Sequence, residues 1–523
     1  MAKEEEEGMG LGSFEADSGL AAAEEEKMDD TNRSPSLWRR ISDFVYFSAR
    51  GMWFLVAFAP IFSIGYPVMV LLLPSVGIPT DQQWWRWYVY TVSVGGPAMV
   101  KLAQWAATRR DIFSEEFCRH FSQLHTNATP HPWQQTEEVL DEAMPDWRDV
   151  FEFVGTKPIG SGCIGQVYKA KLRGSQEHVA IKVLHPSIKA RINVDLQWIS
   201  YAANILDLIP GVHWLSFQDH VTQFSRLMNT QLDLRVEAEN LMRFRHNFNP
   251  DDDDDEPNWM GRRSIIRFPK PYSNLCSEKV LVERFEEGMP LSEYFEKARR
   301  SEEEENKRSG EGDEMLRKFG SEMAKAGCHA FVKMLFVDNF QHGDLHPGNI
   351  LVSFRKKKTS ATSPGATVSL FESMKRLMGL DVSDYFPVLT FLDAGITTEL
   401  SDRDLTNFRD VFTAVVKNDG YEVGRLILER SPHQECTNPN AYCSDMEKLI
   451  DAAVNTKIQL SKLQVGILLT NVLNLSRAQK VKLDSAFTST IISVVIVEGI
   501  GRSLDPELNI LDVVFRELVK NAL

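Results

Sequence analysis

Gln341-His-Gly-Asp344-Leu-His-Pro-Gly-Asn349-Ile-Leu-Val352 is the stretch whose reading decides the fold. Asp344 and Asn349 stand five residues apart, Pro347-Gly348 forces a turn between them, and the apolar Ile350-Leu351-Val352 run leaves as a strand. This spacing suits a phosphoryl-transfer loop. One carboxylate orients a nucleophilic hydroxyl or water, and a side-chain amide five positions later holds a Mg²⁺ beside the transferring phosphate. Taken alone, the stretch also reads as a polar surface turn, so the decision rests on its companions.

Downstream, Val388-Leu-Thr-Phe-Leu392-Asp393-Ala-Gly395 is an apolar strand ending in Asp-x-Gly, and Asp393 is the expected second Mg²⁺ ligand. Upstream, Gly160, Ser161, Gly162, Cys163, Ile164, Gly165, Gln166 and Val167 form a glycine turn between strands, and Val179-Ala-Ile-Lys182 follows as a third strand. Both strings fit the protein-kinase signature G-x-G-x-x-G-x-V and V-A-I-K. Glycines admit backbone N–H groups close to ATP phosphates, and Lys182 supplies a fixed positive charge. A buried ammonium needs a carboxylate partner; Glu237 in a downstream helical stretch is the candidate, with Glu239 competing.

The 523 residues exceed one small domain, and the net charge of -15 excludes a general nucleic-acid binder because no basic face dominates. Acid is concentrated in runs at 4–7, 24–26, 251–256 and 302–305, which read as solvated tails or loops. Cys118, Cys163, Cys276, Cys328, Cys436 and Cys443 are scattered without metal-ligand spacing and read as reduced structural thiols. The expected layout is a 1–36 acidic disordered tail, a 37–92 membrane-associated segment, a 93–150 helical extension, a 151–285 N-lobe with an acidic insert, and a 286–523 C-lobe with a basic loop insert.

The membrane expectation rests on Gly51–Thr80, which lacks any charged residue, and on its flanks, Arg39, Arg40 and Arg50 before and five Trp or Tyr residues after. Trp53–Leu73 is long enough for a bilayer core of roughly 30 Å. Pro60, Pro67 and Pro74 favour a kinked span or a re-entrant hairpin, with an apolar hairpin packed on the soluble domain as the alternative. Ser114 before Glu115-Glu116 reads as a helix N-cap. Ser485–Ile500 is apolar enough to mimic a span but is expected to be a core helix, with Gly499 and Gly501 allowing close packing. The tail lacks the arginine-rich, acid-poor character of a mitochondrial transit peptide.

Together, Lys101-x-x-Gln104, the glycine turn, Lys182, Asp233–Glu237, Asp344-x-x-x-x-Asn349, Asp393-x-Gly395 and Val497–Asp505 resemble the UbiB, or aarF-domain-containing, family of atypical kinases, most closely its second eukaryotic subgroup. The resemblance implies an α+β, protein-kinase-like bilobal fold with an N-terminal helical extension. It also implies bound ATP and Mg²⁺, a mitochondrial membrane location, membrane-lipid and lipid-biosynthesis protein partners, and support of coenzyme Q metabolism. On this reading Lys182, Glu237 and Asp344 are catalytic, Asn349 and Asp393 hold metal, and Lys101, Gln104 and Asp233 are regulatory. Three positions depart from the family. Ala103 replaces a glycine between Lys101 and Gln104, the nucleotide turn is glycine-rich rather than alanine-rich, and Gln231 replaces the glutamate of a Glu-x-Asp motif.

Gly343 also stands where a protein kinase carries the arginine that reads activation-loop phosphate, and no Ala-Pro-Glu string follows Gly395. A peptide-docking platform is therefore expected to be missing, making a poor protein kinase. The competing functions are a small-molecule phosphotransferase of the aminoglycoside or choline kinase type, which lacks the Lys101/Gln104 extension, and a nucleotide-binding pseudokinase scaffold.

Overall fold

A computed structural model describes residues 37–60, 80–109, 112–122, 124, 129–175, 177–209, 216–249, 265–297, 311–356, 385–431, 433–455 and 465–508. The acidic tail, most of the uncharged stretch (61–79), both internal acidic runs and the basic insertion beyond Lys356 lie outside them. The chain divides into two units, Met1–Val68 and Met69–Leu523. In the first, helix α1 (Leu37–Pro60) stacks the Arg50 guanidinium over Trp53 and Phe54, 4.7 and 4.9 Å from the ring centroids.

The second unit begins with α2 (Thr80–Val94), α3 (Pro97–Thr108), α4 (Glu115–Phe121), α5 (Trp133–Ala143) and the short α6 (Trp147–Val150). Ser114 caps α4, its hydroxyl accepting from the Phe117 N–H at 3.3 Å. Strands β1 (Phe151–Phe153), β2 (Gly160–Ser161), β3 (Gly165–Leu172) and β4 (His178–Leu184) follow, then α7 (Ile188–Leu206), α8 (Phe217–Gln231), α9 (Leu234–Phe248), β5 (Ile266–Arg267) and β6 (Val280–Arg284). The first sheet runs β1-β3-β4-β6 with β2 on β3, all antiparallel.

Strand alternation decides which face of this sheet carries chemistry. Val179, Ile181 and Val183 of β4, with Val280 and Val282 of β6, enter a core closed by Val139, Leu140 and Trp147 of the extension helices. Burial of each such side chain stabilises by about 1.5–3 kcal/mol. Lys182, between Ile181 and Val183, is thereby turned to the opposite face. On that side α9 presents a buried stripe of Leu234, Glu237, Ala238, Leu241, Phe244, Arg245 and Phe248, in which Glu237 is the one carboxylate.

The remainder comprises β7 (Met289–Pro290), α10 (Glu311–Phe336), β8 (Gln341–His342), β9 (Ile350–Lys356), β10 (Tyr385–Phe391), β11 (Thr397–Thr398), α11 (Asp402–Val416), α12 (Gly420–Arg430), β12 (His433–Gln434), α13 (Pro439–Asn455), α14 (Val465–Ala478), β13 (Val481–Lys482) and α15 (Ser485–Leu504). A second sheet runs β5-β10-β9-β7, with β5 parallel to β10. Residues 266–267, inside the range expected for the N-lobe, therefore belong to the sheet of the C-terminal half.

Among the described residues, Phe487–Leu504 is the one helix segment long and apolar enough to cross a membrane. It packs on α10 and α14, with Ile491, Val494 and Val497 buried. The expectation for Gly499 is corrected, because a Cβ there meets nothing within 4 Å. Close approach is made at Gly320 instead, where a Cβ would lie 2.5 Å from the Leu504 carbonyl, and at Gly501 against Leu508.

Candidate active site

Lys182 Nζ donates to both Glu237 oxygens, at 2.9 and 2.8 Å, and stands 3.3 Å from Asp393 Oδ1. Three chain segments thus meet at one ammonium. Glu239, the competing partner, is exposed. Burial would lower Lys182, yet Asp393 and then Glu237 hold it well above the ordinary lysine value, so it stays cationic. Burial alone would also raise Asp393, but Lys182, Lys101 and His342 hold it well below the carboxylate range. Glu237 is pushed up to about 7 by burial, with Lys182 opposing and Asp393 reinforcing.

Asp393 sits in the left-handed region at φ 52, uncommon for a side-chain-bearing residue. Two contacts impose that conformation. The Asn240 amide, one helical turn beyond Glu237 on α9, donates to the Ala394 carbonyl at 2.8 Å. His342 Nε2 donates to the Leu392 carbonyl at 2.9 Å. Because that carbonyl only accepts, His342 carries its proton on Nε2, and Nδ1 accepts from the Asp344 N–H at 3.3 Å. Burial holds this imidazole below its ordinary value, hence neutral at pH 7. One buried histidine therefore ties the Asp344 loop to the Asp393 loop.

Asn349 Nδ2 donates to the Asp344 carbonyl at 3.1 Å and its own carbonyl accepts from Leu392 N at 2.8 Å. This leaves the Asn349 side-chain oxygen available. The half-buried Asp344 carboxylate has no hydrogen-bond or ion-pair partner among the described residues. Gly343 N donates to the Ile396 carbonyl at 2.9 Å, and β8 pairs with β11 immediately after Asp393-Ala-Gly. A Cβ on Gly343 would lie 2.6 Å from Ile396 Cγ2, so the place of the missing arginine is filled by packing.

In the glycine turn the three glycines differ. A Cβ on Gly160 meets open space and one on Gly162 an ordinary contact, but one on Gly165 would lie 2.6 Å from the Val183 carbonyl. The third glycine thus serves the close packing of β3 on β4. Lys101, on α3, acts electrostatically on both Asp393 and Cys163, which puts each within reach of its ammonium. Gln104 and Asp233 lie apart from the cluster. Gln104 donates to the Leu124 carbonyl at 3.0 Å within the extension. Asp233 caps α9 and pairs with Arg235 at 2.6 Å. Gln231 is buried, and its side-chain oxygen has no hydrogen-bond partner among the described residues.

The sequence reading missed Asn240, His342 and Glu283. Glu283, on β6, is pushed up to about 8 by burial first and by Glu237 next. Its position in strand alternation opposite the Val280/Val282 face was the available signal.

The ABC1 atypical kinase-like domain matches residues 123–427, more than half of the chain. The chain belongs to this family. It is 33% identical, over 92% of its length and 72% of the other, to a mitochondrial ABC1 family protein of Schizosaccharomyces pombe. It is 32% identical to a mitochondrial ABC1 family protein of Saccharomyces cerevisiae, covering 80% of this chain and 65% of that one. A probable protein kinase UbiB of Histophilus somni is 25% identical over 80% of this chain and 67% of its own. These matches accord with the UbiB/aarF resemblance and with a kinase-like fold of mixed helix and sheet.

The donor set fits Mg²⁺-ATP. Asp393 and Asn349 offer hard oxygen ligands, and the Lys182 ammonium, fixed by two carboxylates, suits phosphate. When bound, Mg²⁺ would neutralise charge developing on the terminal phosphate.

Proposed function

We propose that this chain binds Mg²⁺-ATP and transfers or hydrolyses its terminal phosphate as an atypical kinase or ATPase at a mitochondrial membrane, supporting lipid metabolism related to coenzyme Q. The observation that carries the enzymatic half is the convergence on Lys182 of Glu237 at 2.8 Å and Asp393 at 3.3 Å. In this reading Lys182 binds phosphate and Glu237 orients it. Asp393 and Asn349 hold the metal, and Asp344 receives the acceptor's proton. Residues Gly160–Val167 cover the phosphates, and the helical extension, with Lys101 at the cleft, regulates access. The mitochondrial half draws on the names of the two fungal relatives. The lipid half draws on the family resemblance, with membrane lipid and lipid-biosynthesis proteins as partners.

Gly343 in the place of the phosphate-reading arginine, and the lack of an Ala-Pro-Glu string after Gly395, support a poor protein kinase. Direct binding tests the site. Titration of purified protein with Mg²⁺-ATP should show saturable binding that Asp393→Asn weakens at least tenfold, as loss of a charged metal ligand would. Equal affinity in that variant would contradict the assignment.

A further inference from the structure

His185 leaves β4 and holds the glycine turn at two carbonyls. Its N–H donates to Ile164 O at 2.8 Å and its Nε2 to Gly162 O at 2.9 Å. A carbonyl only accepts, so Nε2 carries the proton and Nδ1 of the neutral ring accepts. That Nδ1 faces His131 Nδ1 at 2.7 Å, so His131 must donate there. His131 Nε2 then accepts from Thr136 Oγ1 at 2.9 Å. Thr136 Oγ1 in turn lies 2.8 Å from the Tyr168 hydroxyl and accepts from Gln166 Nε2 at 3.2 Å. Gln166 also accepts from the His131 N–H at 3.1 Å, clasping the extension onto β3. One acceptor-only atom thus fixes the direction of the whole chain of bonds from extension to turn.

The peptide between Gly162 and Cys163 is planar and trans, so its C=O and N–H point in opposite directions. Pinning Gly162 O to His185 turns the Cys163 N–H away from His185. That N–H has no hydrogen-bond partner among the described residues. Lys101 acts electrostatically on Cys163 and on Asp393, so the buried Cys163 and the metal-site aspartate both stand within reach of one ammonium. An unpaired backbone N–H in a glycine turn is a phosphate donor.

We propose that His131 and His185 are positioning residues, a relay through which the helical extension keeps the Cys163 N–H presented to a nucleotide phosphate. The proposal rests on the Mg²⁺-ATP reading of the site. It goes beyond that reading by making nucleotide affinity depend on an imidazole pair outside the catalytic cluster.

The test compares His185→Leu, which removes the donor, with His185→Gln, whose amide nitrogen falls near the position of Nε2. His185→Leu should raise KM and Kd for Mg²⁺-ATP roughly tenfold, the loss expected when one hydrogen bond goes and its partner stays buried. Turnover at saturation should stay within about threefold, and His185→Gln should recover most of the affinity. His131→Leu should weaken affinity similarly, and the double Leu variant should be no weaker than either single one, as members of one relay are non-additive. Unchanged affinity in His185→Leu, or equal loss in a folded His185→Gln, would overturn the relay. Hydrogen exchange of residues 160–165 in nucleotide-free protein separates the two claims. Faster exchange in His185→Leu supports the relay even where wild type fails to bind Mg²⁺-ATP, which would refute only the reading of the site. Unchanged exchange sinks the relay.

Discussion

Glutamine in place of Glu237 removes one negative charge from the centre of the site while keeping its shape. Lys182 Nζ lies 2.8 Å from Glu237 Oε2, a Coulomb attraction of roughly 6 kcal/mol at an effective dielectric constant near 20. Much of this is offset by desolvation of the two groups. What remains is the difference between two ion-pair hydrogen bonds and one bond from the ammonium to a neutral amide oxygen, about 2–3 kcal/mol. Lys182 then moves toward Asp393, already 3.3 Å away, and occupies an oxygen assigned to the metal. At 1.36 kcal/mol per decade, kcat/KM for Mg²⁺-ATP turnover should fall about 30- to 150-fold. Stability should barely change, because Glu237→Gln also removes a buried carboxylate whose own ionisation is disfavoured by burial. Steady-state phosphate release and thermal unfolding, measured together, decide the matter. A kcat/KM within threefold of wild type, or a loss that tracks a large drop in Tm, would refute the reasoning.

Asn240→Ala frees the Ala394 carbonyl, 2.8 Å from the lost amide, and should weaken Mg²⁺-nucleotide binding about tenfold with little change in Tm, as calorimetry can check. Gly327→Ala adds a methyl 3.8 Å from Leu389 Cδ1 within a helix and should stabilise by about 0.5–1 kcal/mol, whereas Gly320→Ala, blocked at 2.5 Å by Leu504 O, should destabilise; denaturant titration compares them. His131 is lowered to about 4 by burial and then by His185, whereas an unfolded histidine titrates near 6.5. The unfolded chain therefore takes the proton first, and the contribution of this group is complete above pH 6.5 and lost as pH falls toward 4. Half-exposure reduces it to about 1–2 kcal/mol, and urea unfolding at pH 7 and 4.5 should show that much less acid sensitivity in His131→Asn.

The parts of the site legible in the sequence were those where chemistry and chain spacing are local. Asp344 and Asn349 share one turn, and the glycine turn and Lys182 lie on adjacent strands, so residue type and short separation were enough. Glu237, 55 positions beyond Lys182, was found because a buried ammonium demands a partner. Asn240 escaped because its partner is a backbone carbonyl 154 positions away, and an amide on a helix gives no sign of which carbonyl it will meet. The His131–His185 contact escaped for a similar reason, since the loop carrying His131 is brought to the turn only when the extension covers the sheet. Gly165 was legible as a glycine of the motif, but its role in packing against Val183 becomes visible only with the β3–β4 register.

The central claim is that Asp344, standing unpaired beside the Lys182–Glu237–Asp393 cluster, takes part in phosphoryl transfer. Phosphate release from Mg²⁺-ATP by the full chain in lipid vesicles, wild type against Asp344→Ala, tests it most directly. The account predicts measurable turnover that falls on the order of 10²-fold or more in Asp344→Ala while Mg²⁺-ATP binding is retained. Equal turnover in the two proteins, or wild-type binding with no Asp344-dependent turnover, would contradict it.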